Sequence, residues 1–133
     1  MEGKEVIIDA SALYPLLKAK GREVVPYLKK LAVHDLTKYE IGNAIWKEHK
    51  IGVVKDWRRL IRLWDEVLSA LKTYSIAKVE EVESLAVERN ISFYDASYVQ
   101  LAESLDVNLV TEDEELLKSC EKAISLKEFL SKW

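Results

Sequence analysis

The sequence holds a single cysteine, Cys120, so no disulfide can form within the chain. Only His34 and His49 stand beside it, too few for a Cys/His zinc cluster. Cys120 is expected to be a small buried residue. Glycine is scarce: Gly3, Gly21, Gly42 and Gly52 are the four, and none falls in a GxGxxG or GxxxxGK[ST] loop. A nucleotide cradled on glycine amides is therefore not expected. No apolar run approaches the roughly 18 residues that span a bilayer. The opening "MEGKEVIIDAS" is acidic and its apolar stretch stops at Asp9, unlike a signal peptide. A cytoplasmic protein without a membrane partner is the expectation. Asp9 is followed by "ASAL" and not by the D-x-D of an aspartyl-phosphate phosphatase. The two histidines lie far from any serine elbow, which gives no support to a hydrolytic triad.

What is present describes one ordinary domain over residues 1–133, 49% apolar and 32% charged. The formal net charge of −3 hides an asymmetry. From Lys18 to Arg62 there are twelve Lys and Arg against five Asp and Glu; from Leu63 to Trp133 there are seven against fifteen. Such a split suits one surface that meets phosphates and another region that gathers carboxylates, although two solvated helix faces would look the same.

"EVIIDAS" is a β-branched run ending in an acid and reads as a buried strand. "SALYPLLKAK" predicts a short helix stopped near Gly21. "VVPYLKKLAVHDL" predicts a helical turn and then a strand around Ala32–His34. "TKYEIGNAIWKEHK" and "KDWRRLIRLWDEVLSALK" read as helices, the second with Trp57, Leu60, Ile61, Trp64, Leu68 and Leu71 at helical spacing. A further helix is expected over about Val79–Arg89, another in "ISFYDASYVQLAE", a strand in "VNLVTED", a short helix in "EELLKSC", a strand in "KAISL" and a terminal helix in "KEFLSKW". Short apolar strands alternating with helices predict an α/β domain with a mainly parallel sheet. Ligands of such sheets bind beyond the carboxyl ends of the strands, where Asp9 and Glu112–Asp113 fall.

Four acids stand out: Asp9, Glu40, Asp95 and Asp113. Helix capping accounts for some of them. Thr37 and Glu40, Ser92 and Asp95, and Thr111 and Glu114 each have the spacing of a capping box. Capping leaves Asp9 and Asp113 unexplained. Several carboxylates at one sheet edge repel one another in a low dielectric and call for cations. Oxygen-only ligands favour Mg²⁺ or Mn²⁺. A pair of such ions about 4 Å apart can activate water and stabilise the leaving oxygen of a phosphodiester.

"VIIDASAL", "YEIGNAI", "ISFYDASYVQLAE" and "LVTEDEEL", in this order and separation, resemble the PIN domain family, most of all its single-domain VapC-type toxins. The resemblance runs from about Val6 to Leu126. It implies a parallel sheet of about five strands flanked by helices in three layers. It places the family's four acids at Asp9, Glu40, Asp95 and Asp113, with Thr111 and Asn43 in support. It implies a Mg²⁺- or Mn²⁺-dependent endoribonuclease in which these four acids hold metal, a homodimer, and a small antitoxin protein as partner. His34 and Asp35 depart from the pattern ahead of the second acid. Glu112, Glu114 and Glu115 leave open which acid at the fourth position touches metal.

Lys18, Lys47, Lys50, Arg58, Arg59 and Arg62 are candidates for phosphate contacts, against the plain alternative of a solvated helix face. Trp57 and Trp64, seven residues apart, read as core, with a partner-binding patch as the alternative. Two other functions compete: an RNA-processing nuclease without antitoxin, and a low-turnover RNA- or protein-binding module. All four acids being present favours the enzyme.

Overall fold

Val6–Ile8 (β1) carries no polar side chain and is wholly buried, as the middle strand of a two-faced parallel sheet must be. The computed structural model describes residues 5–76 and 78–132; Trp133, to which the sequence assigned no role, lies outside them. β1 pairs on one side with β2 (Leu31–His34), which pairs in turn with β3 (Lys72–Tyr74). On the other side it pairs with β4 (Leu109–Val110), which pairs with β5 (Ala123–Ile124). All pairings are parallel and the order is β3-β2-β1-β4-β5. The chain builds outward from β1 in one direction, then returns to its other edge. The switch point between β1 and β4 is where such a sheet opens a crevice at its carboxyl ends.

Alternation along the strands divides the core between the two faces. Val6, Ile8, Leu31, Val33 and Val110 point one way, with α1 (Ala10–Lys20), α2 (Thr37–Lys50), α3 (Trp57–Ala70) and Phe129 of α7 (Leu126–Lys132). Ile7, Ala32 and Leu109 point the other way, onto Tyr98, Val99, Leu101 and Ala102 of α5 (Phe93–Leu105) and Leu116 of α6 (Glu114–Ser119). Outside α5 lies α4 (Val79–Arg89), held through Val82, Ala86 and Ala96 and by the paired Arg89–Glu103 bonds of 2.7 and 3.0 Å. This is the expected three-layer architecture, with a 3₁₀ segment at Gly21–Lys30.

One strand carried no signal in the sequence. β3 is an edge strand whose Lys72 and Thr73 side chains are exposed, so it lacks the apolar run that marks the others. The tryptophans divide. Trp64 is buried and stacks on Tyr14 with ring centroids 5.7 Å apart, whereas Trp57 is at the surface beside Arg58. Cys120 is buried as expected. No helix among the described residues is long and apolar enough to cross a membrane.

Candidate active site

Asp9 follows β1 directly and begins α1. Its Oδ1 accepts from the backbone N–H of Ala12 at 3.2 Å and from Ser11 Oγ at 2.6 Å. The expectation that capping does not explain Asp9 is therefore corrected: strand passes to helix with no loop between, so one residue ends the first and caps the second. The same holds across the switch point. After β4, Asp113 Oδ1 accepts from the N–H groups of Glu115 and Leu116 at 2.9 and 3.2 Å and caps α6. Thr111, expected to cap this helix, instead accepts from Asp113 N at 3.1 Å and lies 3.3 Å from Ser11 Oγ. Ser11 also accepts from Glu112 N at 3.0 Å, so it laces the ends of β1 and β4 together.

The other two acids enter from opposite faces of the sheet. In α2, Leu36 precedes the first helical residue and no side chain caps the helix, so the Thr37–Glu40 box does not form. Thr37, fully buried, meets Tyr98 Oη at 2.7 Å, and Tyr98 Oη donates to Glu40 Oε1. An ionised carboxylate only accepts, so Tyr98 spends its proton on Glu40 and Thr37 supplies the hydrogen to Tyr98. In α5 one half of the expected box is present: Ser92 Oγ accepts from Asp95 N at 3.0 Å. Asp95 and Tyr98 are three residues apart and share a helix face.

Electrostatics join the four. Burial pushes the carboxyl of Asp9 above the ordinary carboxylate range, against hydrogen bonds from Ser11, Thr111 and Ala12, and the charge of Asp113 adds to the rise. Burial likewise raises Glu40, opposed by the Tyr98 hydroxyl and reinforced by the charges of Asp9 and Asp95. Asp95 is raised by burial and then by Asp113, with Ser92 opposing and Glu115 adding. Each acid thus feels at least one of the others. Glu112, by contrast, accepts from Leu126 N at 3.2 Å, and Glu114 is exposed; of the acids around the fourth position, Asp113 acts on both Asp9 and Asp95 and Glu115 on Asp95 alone.

All four acids occupy the first turn of a helix or its cap, where the backbone partial charge is positive. Every polar atom in the cluster is oxygen, the donor set of a hard divalent cation. Among the described residues, no three acid, histidine or cysteine side chains are already drawn together as an ion's coordination shell requires.

Three residues of the site went unread in the sequence: Ser11, Thr37 as a buried hydroxyl, and Tyr98. The only signal was position, two residues after Asp9 for Ser11 and three after Asp95 for Tyr98. His34, the departure from the pattern, still ends β2. It is buried, its ring packs on Tyr98 at 5.3 Å, and its Nε2 has no partner among the described residues. Burial pushes its pKa down, with Asp35 opposing.

The supporting and basic candidates fare unevenly. Asn43 is exposed one turn beyond Glu40, and both line one depression. Lys47 and Lys50 follow Glu40 along α2 by about 10 and 15 Å. Lys18 binds Glu48 at 2.8 Å, so its charge is spent within the fold. Arg58 lies over the Trp57 ring, and Arg59 lines a groove between α1, the 3₁₀ segment and α3. Neither arrangement turns Arg58 or Arg59 toward the acids, in keeping with the solvated-face reading.

No protein-family model matches the chain. Among known proteins, "Exonuclease VapC9" of Pyrobaculum aerophilum is 44% identical over 126 residues, covering 95% of this chain and 93% of that protein. The chain belongs to the VapC-type PIN-domain family. "Ribonuclease VapC3" of the same organism is 33% identical, over 84% of this chain and 92% of its own length. The crystal structure of PAE2754 from Pyrobaculum aerophilum superposes with a TM-score of 0.89 at 41% identity, covering 98% of this chain and 96% of that one. That superposition spans both faces of the VapC fold and every element that carries an acid.

Proposed function

We propose that this VapC-family chain is a metal-dependent endoribonuclease, the toxin of a toxin–antitoxin pair. The observation that supports the reading is the pairwise electrostatic coupling of Asp9 with Asp113, Glu40 with Asp9 and Asp95, and Asp95 with Asp113, each acid held near a helix N-terminus. The family context supports RNA as substrate, since relatives carry ribonuclease names. Asp9, Glu40, Asp95 and Asp113 would hold Mg²⁺ or Mn²⁺. Such an ion supplies a water of lowered pKa and neutralises charge on a phosphodiester. The chain's own work is positional. Ser11 and the α1 amide fix one oxygen of Asp9, the α6 amides fix one of Asp113, and Tyr98 fixes one of Glu40. A homodimer and a small antitoxin complete the reading. The groove lined by Leu17, Val24, Val25, Leu28, Leu60 and Leu63, about 600 Å³, suits an amphipathic partner helix.

The test is cleavage of RNA by the purified protein with Mn²⁺ or Mg²⁺. Activity is expected to cease in excess chelator; full activity with no free metal would remove the proposal. The name of the 44%-identical relative favours a second reading, attack from chain ends. A covalently closed circular RNA separates the two, because only an endonuclease opens it.

Tyr98→Phe probes the positioning. It removes the donor to Glu40 and strands the buried Thr37 hydroxyl. We expect a loss of about 1–3 kcal/mol in stability and roughly tenfold weaker Mn²⁺ binding, the usual scale for an outer-shell partner. Calorimetric titration and thermal unfolding measure the two. Unchanged metal affinity would show that Glu40 does not depend on the tyrosine.

A further inference from the structure

Tyr39 and Tyr94 are the residues immediately before Glu40 and Asp95, and they are 68% and 62% exposed. Both line one depression of about 270 Å³ together with Leu36, Glu40 and Asn43. Two large rings left uncovered at the first turns of α2 and α5 do no packing work there. From this geometry we infer that the depression between Tyr39 and Tyr94 is a nucleobase subsite, which takes one unstacked base of single-stranded RNA beside the acid cluster. The inference rests on the nuclease reading above and adds to it how the substrate is held.

The chemistry favours a base over other occupants. An aromatic face stacks on any base, whatever the sequence, and a stacked base is worth about tenfold or more in affinity. The Asn43 amide sets an NH2 donor group beside a carbonyl acceptor, the pairing that matches the edge of a base. Lys38 places its ammonium 5.6 Å from the centre of the Tyr39 ring, which sets a cation next to the site for an adjoining phosphate. Glu40 ties the depression to the cluster itself. The acids repel the backbone of a nucleic acid, and apart from Lys38 the lysines of α2, Lys47 and Lys50, lie about two turns or more away. Stacking supplies an attraction that does not depend on charge. Bases in a duplex are already stacked and paired, so the subsite selects single strands.

The experiment compares steady-state cleavage of a single-stranded RNA in Mn²⁺ by the full chain and four variants: Tyr39→Ala, Tyr94→Ala, Tyr39→Phe and Tyr94→Phe. Both rings are exposed, so folding is not at stake. The alanine variants are expected to raise KM about tenfold with kcat within about threefold. The phenylalanine variants should stay within about twofold of the parent, because the ring and not the hydroxyl does the holding. Substrates with one abasic nucleotide should show a single position where the parent loses affinity and the alanine variants lose nothing more. Alanine variants that match the parent overturn the inference, as do phenylalanine variants as weak as the alanine ones. A Tyr39→Ala protein that changes its oligomeric state with KM unchanged assigns the ring to a protein partner and overturns it too. A parent chain that cleaves no RNA removes the nuclease reading and the subsite together; a parent that cleaves while the alanine variants equal it removes the subsite alone.

Discussion

Asp9→Asn and Asp95→Asn should each lower RNA cleavage by at least about a hundredfold while leaving the metal-free protein as stable as the parent or more so. The activity arm follows from the loss of a ligand charge, which costs more than the 10–100-fold typical of an outer-shell partner. The stability arm follows from the raised pKa values of these acids. A carboxyl whose folded pKa lies above its unfolded value stabilises the fold only when protonated; that contribution is complete below the unfolded pKa, near 3.8 for Asp9 and Asp95, and is lost as pH rises through the folded pKa. Burial and the charge of Asp113 both work against the ionised form of each. Asparagine removes that cost and still caps a helix well, so Ala12 N keeps its acceptor in Asp9→Asn. The expected rise in Tm is roughly 2–5 °C, the scale of about 1 kcal/mol in a domain this size. By the same sign, the parent's metal-free Tm should climb as pH falls from neutral toward the ordinary carboxylate range. A variant that is less stable and still active would make the acid a cap and nothing more.

Mn²⁺ should in turn stabilise the parent strongly. An ion that binds only the folded chain adds about 2.7 kcal/mol at a hundred times its dissociation constant, which is roughly 8–13 °C in Tm for a chain of this length. In Asp95→Asn most of that increment should vanish, because the cluster has lost part of the repulsion that the ion relieves. Thermal unfolding with and without Mn²⁺, for both proteins, gives the comparison. Equal increments in parent and variant would place the ion elsewhere than among these four acids.

The sequence announced the acids because each sits in a short, locally patterned stretch. β1 and β4 are apolar runs that end abruptly in carboxylates, and α5 repeats its apolar spacing behind Asp95. The same local reading misjudged the caps. A box motif describes one helix start, but Thr37 is claimed by Tyr98, 61 residues away, and Thr111 by Asp113 N and the Ser11 hydroxyl, 100 residues away for the second. Tertiary partners outbid local ones wherever the hydroxyl is buried. β3 was illegible for the opposite reason: its pairing with β2 is made by backbone, so its side chains carry no trace of it. Glu48 shows a third case. It reads as one more helix-face charge, yet it accepts from Tyr14 Oη at 2.6 Å and from Lys18, and so joins α1 to α2.

The Ser11–Thr111 contact has a bearing on synthesis of the chain. It links the first strand that a ribosome releases to one of the last, and Asp9 meets Asp113 across the same gap. Until β4 has emerged and inserted beside β1, the two halves of the cluster belong to separate pieces of chain. No N-terminal fragment that stops at or before β4, however well its early helices form, contains Thr111 or Asp113. On the nuclease reading, a growing polypeptide that lacks β4 is expected to leave the RNA around it uncut. Cleavage, on that reading, needs acids from both sides of the β1/β4 switch point and so begins only once β4 has docked beside β1.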